Sequence, residues 1–346
     1  LTKIIESDPD LEVIDTARDG QDAIDKTVKL KPDLITLDIE MPVMNGLDAL
    51  RHIMAQCPTS VIMVSSLTTE GSRETLKALR LGASDFVAKD ASFISQKIDA
   101  LRDELIAKIK AIGGHRQRVA ESAGETKIAK PTSKPPVFKA GDFDLVAIGS
   151  STGGPPVVET IARSLTAEMS APVVIAQHMP GVFTKSLSER LNAKCVVDFH
   201  HGEDGMTLKP GSVYLAPGGK QMRVHRLAGG GWALRINNEP ADALYKPSVD
   251  VFFSSVAQAV GERTLGLMLT GMGDDGVKGA RLINDQGGTI LTQSADTCIV
   301  YGMPKAVDEA GVSAASLSPR QLCETLATLQ KSGQNAEPSV ARRRAG

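Results

Sequence analysis

The sequence is governed by one repeated alternation. A short continuous apolar run is followed by a stretch whose apolar residues recur at helical spacing, and the pattern then begins again. In the first third, residues 11–17, 33–37, 60–64 and 85–88 read as strands. Between them Ala23, Ile24, Thr27 and Val28 mark one helix face, Leu47, Leu50, Ile53 and Met54 a second, and Leu76 and Leu79 a third; an amphipathic helix over 93–109 closes the region. From residue 142 the pattern resumes, with strands expected at 144–148, 172–176, 195–198, 264–269 and 289–292. Strand–helix alternation predicts parallel sheets covered on both faces, here two doubly wound α/β domains. Two alternating runs between residues 212 and 237 flank Gly229-Gly230-Gly231 and predict an antiparallel hairpin insertion in the second domain.

The stretch joining the two regions lacks apolar periodicity and is rich in Lys, Ser, Gly and Pro, so residues 113–141 are expected to be a linker. A tail over 331–346, ending in three consecutive arginines before Ala345-Gly346, is expected to be disordered. The domains are therefore 1–112 and 142–330. A net charge of −2 and 3% aromatic residues argue against a nucleic-acid partner. No apolar run reaches the roughly 20 residues of a membrane span. Four scattered cysteines without a Cys-x-x-Cys pair fit a reducing, cytoplasmic compartment, and the chain is expected to be a monomer.

In the first region, Asp38 follows the run Leu34-Ile35-Thr36-Leu37 and so sits at the carboxyl end of a strand, where sheets of this kind gather their chemistry. The loop Asp38-Ile39-Glu40-Met41-Pro42-Val43-Met44-Asn45-Gly46, with Val64-Ser65-Ser66 and Phe86-Val87-Ala88-Lys89, resembles response-regulator receiver domains, which have a flavodoxin-like fold. That resemblance implies that Asp38 accepts a phosphoryl group from a histidine kinase. Ser65 would be the hydroxyl that follows it, Lys89 the fixed cation and Phe86 the aromatic switch. Mg²⁺ is implied as the cofactor of this transfer. The sequence opens at Leu1-Thr2-Lys3-Ile4-Ile5, within what reads as the receiver's first helix. The first strand and its metal-binding acidic pair are thus expected to be missing, leaving Asp38 and the Glu40 backbone carbonyl as metal ligands and impairing phosphorylation. Asp90 stands where the family usually carries proline.

In the second region, the strand before Gly149-Ser150-Ser151-Thr152-Gly153-Gly154 ends in small and hydroxylated residues. A dinucleotide-binding loop wants glycine where Ser151 stands, and a Walker loop needs a lysine that is absent, so an oxidoreductase or nucleotide-binding reading is weak. Gly149-x-Ser151-x-Gly153 instead matches a nucleophile on a strand-to-helix turn, with Pro155 and Pro156 suited to the first helical turn. His178 follows the run ending at Ala176-Gln177, and Asp274-Asp275 follow Leu265–Leu269 by a few residues. One sheet edge could therefore gather a serine, a base and an orienting acid. The chain order Ser…His…Asp is not that of the α/β-hydrolases. The residues alone leave Asp198, Glu203 and Asp274 open as the acid.

Together with Tyr214-Leu215-Ala216-Pro217-Gly218 and residues 269–276, these motifs resemble the catalytic domain of chemotaxis protein-glutamate methylesterases, the CheB family, in which a receiver precedes the catalytic domain. The resemblance implies Ser151 as nucleophile, His178 as general base, Asp275 as orienting acid, the Met272 backbone N–H at the oxyanion, and Thr152 hydrogen-bonding near the base. It implies hydrolysis of glutamyl methyl esters, and deamidation of glutamines, on methyl-accepting chemoreceptors. No cofactor is needed for hydrolysis, and activity is released by receiver phosphorylation. The alternative is a phosphorylation-dependent binding module without catalysis.

Overall fold

The computed structural model describes residues 1–89, 95–122 and 135–330. The first region contains helices α1 (Thr2–Ile5), α2 (Gly20–Leu30), α3 (Gly46–Gln56), α4 (Thr69–Arg80) and α5 (Ser95–Ser122), and strands β1 (Leu34–Asp38), β2 (Ser60–Ser66) and β3 (Asp85–Lys89). The three strands form a parallel sheet in that order. Local chemistry sets the helix starts: the side chains of Asp19, Asn45 and Thr68 each accept a backbone N–H from the first turn of α2, α3 and α4.

Residues 11–17, expected as a strand, are irregular. No strand lies beside them among the described residues to exchange ladder hydrogen bonds, and β-branched composition cannot substitute for a partner. The closing helix also runs beyond its expected end at residue 109, through 113–122 of the expected linker, where Arg, Gln, Ala and Glu favour helix. Asp90, Phe93, residues 123–134 of the linker and the tail at 331–346 lie outside the described residues.

The second region is a seven-stranded, all-parallel sheet in the order β12-β11-β10-β4-β5-β7-β6, with a separate two-stranded hairpin. Its elements are β4 (Leu145–Ser150), α6 (Gly154–Ser164), β5 (Val173–Gln177), α7 (Gly181–Lys194), β6 (Asp198–His201), β7 (Ser212–Leu215), β8 (Gln221–Arg226), β9 (Trp232–Asn237), α8 (Val249–Val260), β10 (Thr264–Met268), α9 (Val277–Asp285), β11 (Thr289–Gln293), α10 (Met303–Glu309), β12 (Ala315–Leu317) and α11 (Pro319–Ala327). β4, β5 and β10 are buried along their whole length, as central strands covered on both faces must be.

Two expectations shift. The strand placed at 195–198 begins at Asp198, because α7 continues to Lys194 and the chain needs the intervening residues to turn. The hairpin starts at Gln221: the run Ser212–Leu215 is buried on both faces and joins the main sheet between β5 and β6.

Apolar packing runs from one region into the other. Leu76, Leu79 and Phe86 of the first pack in the same core as Phe183, Leu187 and Leu191 of the second. This contact is made by α4 and the start of β3 against α6 and α7, beside the rim of the large sheet from which the site projects.

Candidate active site

Ser151 leaves β4 at its carboxyl end, and its own N–H donates to the Thr270 carbonyl at 3.0 Å, tying it to the loop after β10. The turn's left-handed residue is Gly153, at φ 76°, where a side chain would be strained and would also strike Ile299. Pro155 and Pro156 sit in the first turn of α6, where no N–H is needed. Gly271 backs the serine: a Cβ there would lie 2.8 Å from the Ser151 Cβ, so only glycine lets the two loops approach.

His178 leaves β5, the neighbour of β4, and its N–H donates to the Ser150 carbonyl at 3.0 Å. Gln177, fully buried, staples the two strand ends. Its amide nitrogen donates to the carbonyls of Ser151 at 2.9 Å and His178 at 3.2 Å, and its amide oxygen accepts from the Ser150 hydroxyl at 2.5 Å. The sequence reading missed Gln177 because it stands at the end of the apolar run rather than in the loop.

The imidazole Nε2 lies 2.8 Å from Asp275 Oδ2. The carboxylate can only accept, so Nε2 carries a proton, and in the neutral ring Nδ1 holds the free lone pair. Nδ1 is buried and has no hydrogen-bond partner. No hydrogen bond joins it to Ser151 Oγ; the two side chains share a rim through the backbone ties just described.

Asp275 is buried and Asp274 is exposed, so of the two it is Asp275 that meets the imidazole. Besides His178, Asp275 accepts from the Ser248 hydroxyl at 2.9 Å and from the amides of Val249 at 2.7 Å and Asp250 at 3.0 Å, at the start of α8. Burial works to raise its pKa, but the hydrogen bonds from His178 and the two amides outweigh it and hold it below the usual carboxylate value. Glu203 is exposed and Asp198 begins β6, beyond β7 from β5; neither meets His178. The Met272 N–H, in the loop after β10, has no acceptor among the described residues.

Thr152 departs from expectation. Its hydroxyl does not bond near His178 but donates at 2.7 Å to Asp85, on β3 of the first region. Thr152 is followed at once by the left-handed Gly153, and this turn sets its side chain against the receiver-like region. Asp85 is buried and paired with Lys108 of α5 at 3.2 Å. Burial would lower the Lys108 pKa, but Asp85 and Glu104 together raise it, so the ammonium stays charged. Lys108 also donates to the Phe86 carbonyl at 2.6 Å. Phe86 stacks on Phe183 of α7, with centroids 4.3 Å apart, and Ser72 and Ser186 share a hydrogen bond at 2.6 Å. The two regions thus meet one residue from Ser151.

At the far end of the small sheet, Lys89 of β3 reaches across the end of β2 to pair with Asp38 of β1. The Glu40 N–H donates to Asp38 Oδ1 at 3.2 Å. The Ser65 hydroxyl is engaged by the Gly71 carbonyl of α4 at 3.1 Å. Among the described residues no group of three or more His, Cys, Asp or Glu side chains gathers as a metal site. Asp38, already engaged by Lys89, and the Glu40 carbonyl do not by themselves make one for Mg²⁺, and no step below runs through a metal.

Three adjacent parallel strands thus deliver a hydroxyl, an imidazole and a buried carboxylate to one rim, the arrangement of a serine hydrolase on a parallel sheet, with a receiver-like region docked beside it. Family models agree with that division: CheB methylesterase over residues 146–326 and response regulator receiver domain over residues 1–99. A protein-glutamate methylesterase/protein-glutamine glutaminase of Oleidesulfovibrio alaskensis is 44% identical over 335 residues, covering 90% of each chain. One of Archaeoglobus fulgidus is 46% identical, covering 87% of this chain and 86% of its own. The crystal structure of the Thermotoga maritima CheB methylesterase catalytic domain superposes with a TM-score of 0.51 at 37% identity, over 53% of this chain and 97% of that one. The chain belongs to the CheB methylesterase family.

Proposed function

We propose that the protein hydrolyses glutamyl methyl esters on chemoreceptors and deamidates receptor glutamines, under control of phosphorylation at Asp38. Ser151 Oγ attacks the side-chain carbonyl carbon while its proton passes to His178 Nδ1. Asp275 holds Nε2 and stabilises the imidazolium. The tetrahedral oxyanion takes the Met272 N–H, an interaction whose loss typically costs about 2.7–4 kcal/mol of barrier. Collapse breaks the C–O bond of the ester, and His178 returns the proton to the departing methoxide as methanol; for a glutamine the C–N bond breaks instead and the same proton leaves with ammonia. Water, deprotonated by the same nitrogen, then attacks the acyl-serine and releases glutamate and free Ser151. No residue in this sequence of steps needs a cofactor.

The docked first region supplies the control. With the first region docked one residue from Ser151, a receptor helix has less access to the rim, which keeps basal turnover below that of the phosphorylated protein. A phosphoryl group on Asp38 adds roughly 1.5–2 negative charges beside Lys89. Lys89 lies on the same short strand as Asp85 and Phe86, so its displacement is passed to the residues that hold Thr152 and Phe183. A histidine kinase of the chemoreceptor array is the expected donor, which would place the protein on the cytoplasmic side of the membrane. Among the described residues no helix is long and apolar enough to cross one.

The observation that supports this reading most is the short contact between His178 and buried Asp275 on the rim that also carries Ser151. Methanol release from a methylated chemoreceptor tests it. Ser151→Ala should abolish release while leaving the melting temperature near wild type, and persistent turnover in that variant would remove Ser151 from the mechanism.

A further inference from the structure

A hydrogen bond to Asp275 fixes one corner of the His178 ring but not its plane. The ring remains free to rock about the line from Nε2 to the carboxylate, and rocking carries Nδ1 away from Ser151. A second group controls the plane. The Tyr245 ring lies on the imidazole with centroids 4.2 Å apart and planes 10° from parallel.

Tyr245 stands in the polar segment between β9 and α8 and is itself held from two sides. Its carbonyl accepts from the Gln221 amide nitrogen at 2.8 Å, and the Gln221 oxygen accepts from the Ser248 N–H at 2.8 Å. Gln221 is fully buried. Ser248 in turn donates to Asp275, so the hairpin, the Tyr245 segment and the acid form one connected frame around the histidine. The phenol oxygen reaches the loop after β10, 3.8 Å from where a Cβ on Gly273 would stand.

We infer that Tyr245 is a positioning residue of the hydrolase: its ring face holds the imidazole parallel to it and stabilises the imidazolium formed when Ser151 gives up its proton. An aromatic face attracts a cation lying over it, and more strongly where water is excluded. The inference rests on the methylesterase reading above, because it needs His178 to become a cation during turnover. Other charges face the pair as well: Asp275 on Nε2, and Asp274, Asp275, Glu104 and Lys108 around the phenol. Burial raises the phenol pKa, so the hydroxyl is neutral at neutral pH. None of these charges changes on replacing Tyr245 with an uncharged residue, so a comparison of two such variants isolates the ring face.

The test uses the full chain as wild type, Tyr245→Leu and Tyr245→Phe. Methanol release from a methylated chemoreceptor is measured together with the His178 titration followed by NMR on labelled histidine, and melting curves verify folding. Tyr245→Leu should lower kcat about tenfold, with KM within about twofold, and move the His178 titration to lower pH, because the imidazolium has lost its partner. Tyr245→Phe should recover most of the rate and the wild-type titration. A Tyr245→Leu variant with unchanged kcat and titration overturns the inference. So does a Tyr245→Phe variant as impaired as Tyr245→Leu, which would assign the role to the hydroxyl. Wild-type protein that releases no methanol would overturn the methylesterase reading instead, and the titration comparison would still decide whether the ring stabilises the imidazolium.

Discussion

Replacing Asp275 by asparagine keeps the size of the side chain and removes both its charge and one acceptor. In the native site Oδ1 accepts from the Ser248 hydroxyl and the Asp250 amide, while Oδ2 accepts from the Val249 amide and His178 Nε2. If the new NH₂ takes the Oδ2 position, it opposes the Val249 N–H and cannot accept from the imidazole. The ring proton must then move to Nδ1, and no lone pair faces Ser151. If it takes the Oδ1 position, the Asp250 N–H loses its acceptor and the imidazolium loses its countercharge. Either arrangement should lower kcat by about 10³–10⁴-fold, or about 4–5.5 kcal/mol of transition-state stabilisation. The unpartnered buried amide should cost a further ~1–3 kcal/mol of stability. Methanol release under saturating substrate and a denaturant melt read the two effects separately. A variant whose kcat stays within tenfold of wild type would show that Asp275 does not orient the base.

The same carboxylate gives a pH prediction. Its folded pKa lies below the ordinary value of 3.8, so its stabilisation is present above that value and is lost as pH falls through the folded one. The difference in melting temperature between wild type and Asp275→Asn should be full near neutrality and shrink below about pH 4. Phe86→Ala removes the ring stacked on Phe183 and should cost about 3–5 kcal/mol of stability. It should also raise methanol release by the unphosphorylated protein, and an unchanged basal rate would mean this contact does not restrain the site. Lys108→Met leaves Asp85 buried without its cation and should destabilise by about 3–5 kcal/mol. Adding Asp85→Asn should restore much of that in the same melt, whereas an additive loss would argue against the ion pair.

The strand-end logic was legible because it depends on local pattern. Ser151, His178 and Asp275 each follow an apolar run that had to be a buried strand, and parallel strands place such residues on one rim whatever their order in the chain. Asp38 came out of the same logic, whereas Lys89 was implied by the resemblance to receiver domains. The choice between Asp274 and Asp275 was not legible, because it turns on which side chain meets the start of α8. The partner of Thr152 was hidden for a similar reason: Asp85 is 67 residues away and belongs to the other region. Tyr245 lies in a polar segment without periodicity, and it reaches His178 only because Gln221 of the hairpin ties that segment down. The irregular run at 11–17 failed as a strand because composition cannot supply a neighbour to pair with.

The central claim is that Ser151 is activated by His178 and Asp275, and covalent trapping tests it most directly. After treatment with an active-site-directed fluorophosphonate, peptide mapping by mass spectrometry should find a single adduct on Ser151, absent in Ser151→Ala and formed far more slowly in Asp275→Asn. An unlabelled Ser151, or an adduct formed equally fast without the Asp275 carboxylate, would contradict the account.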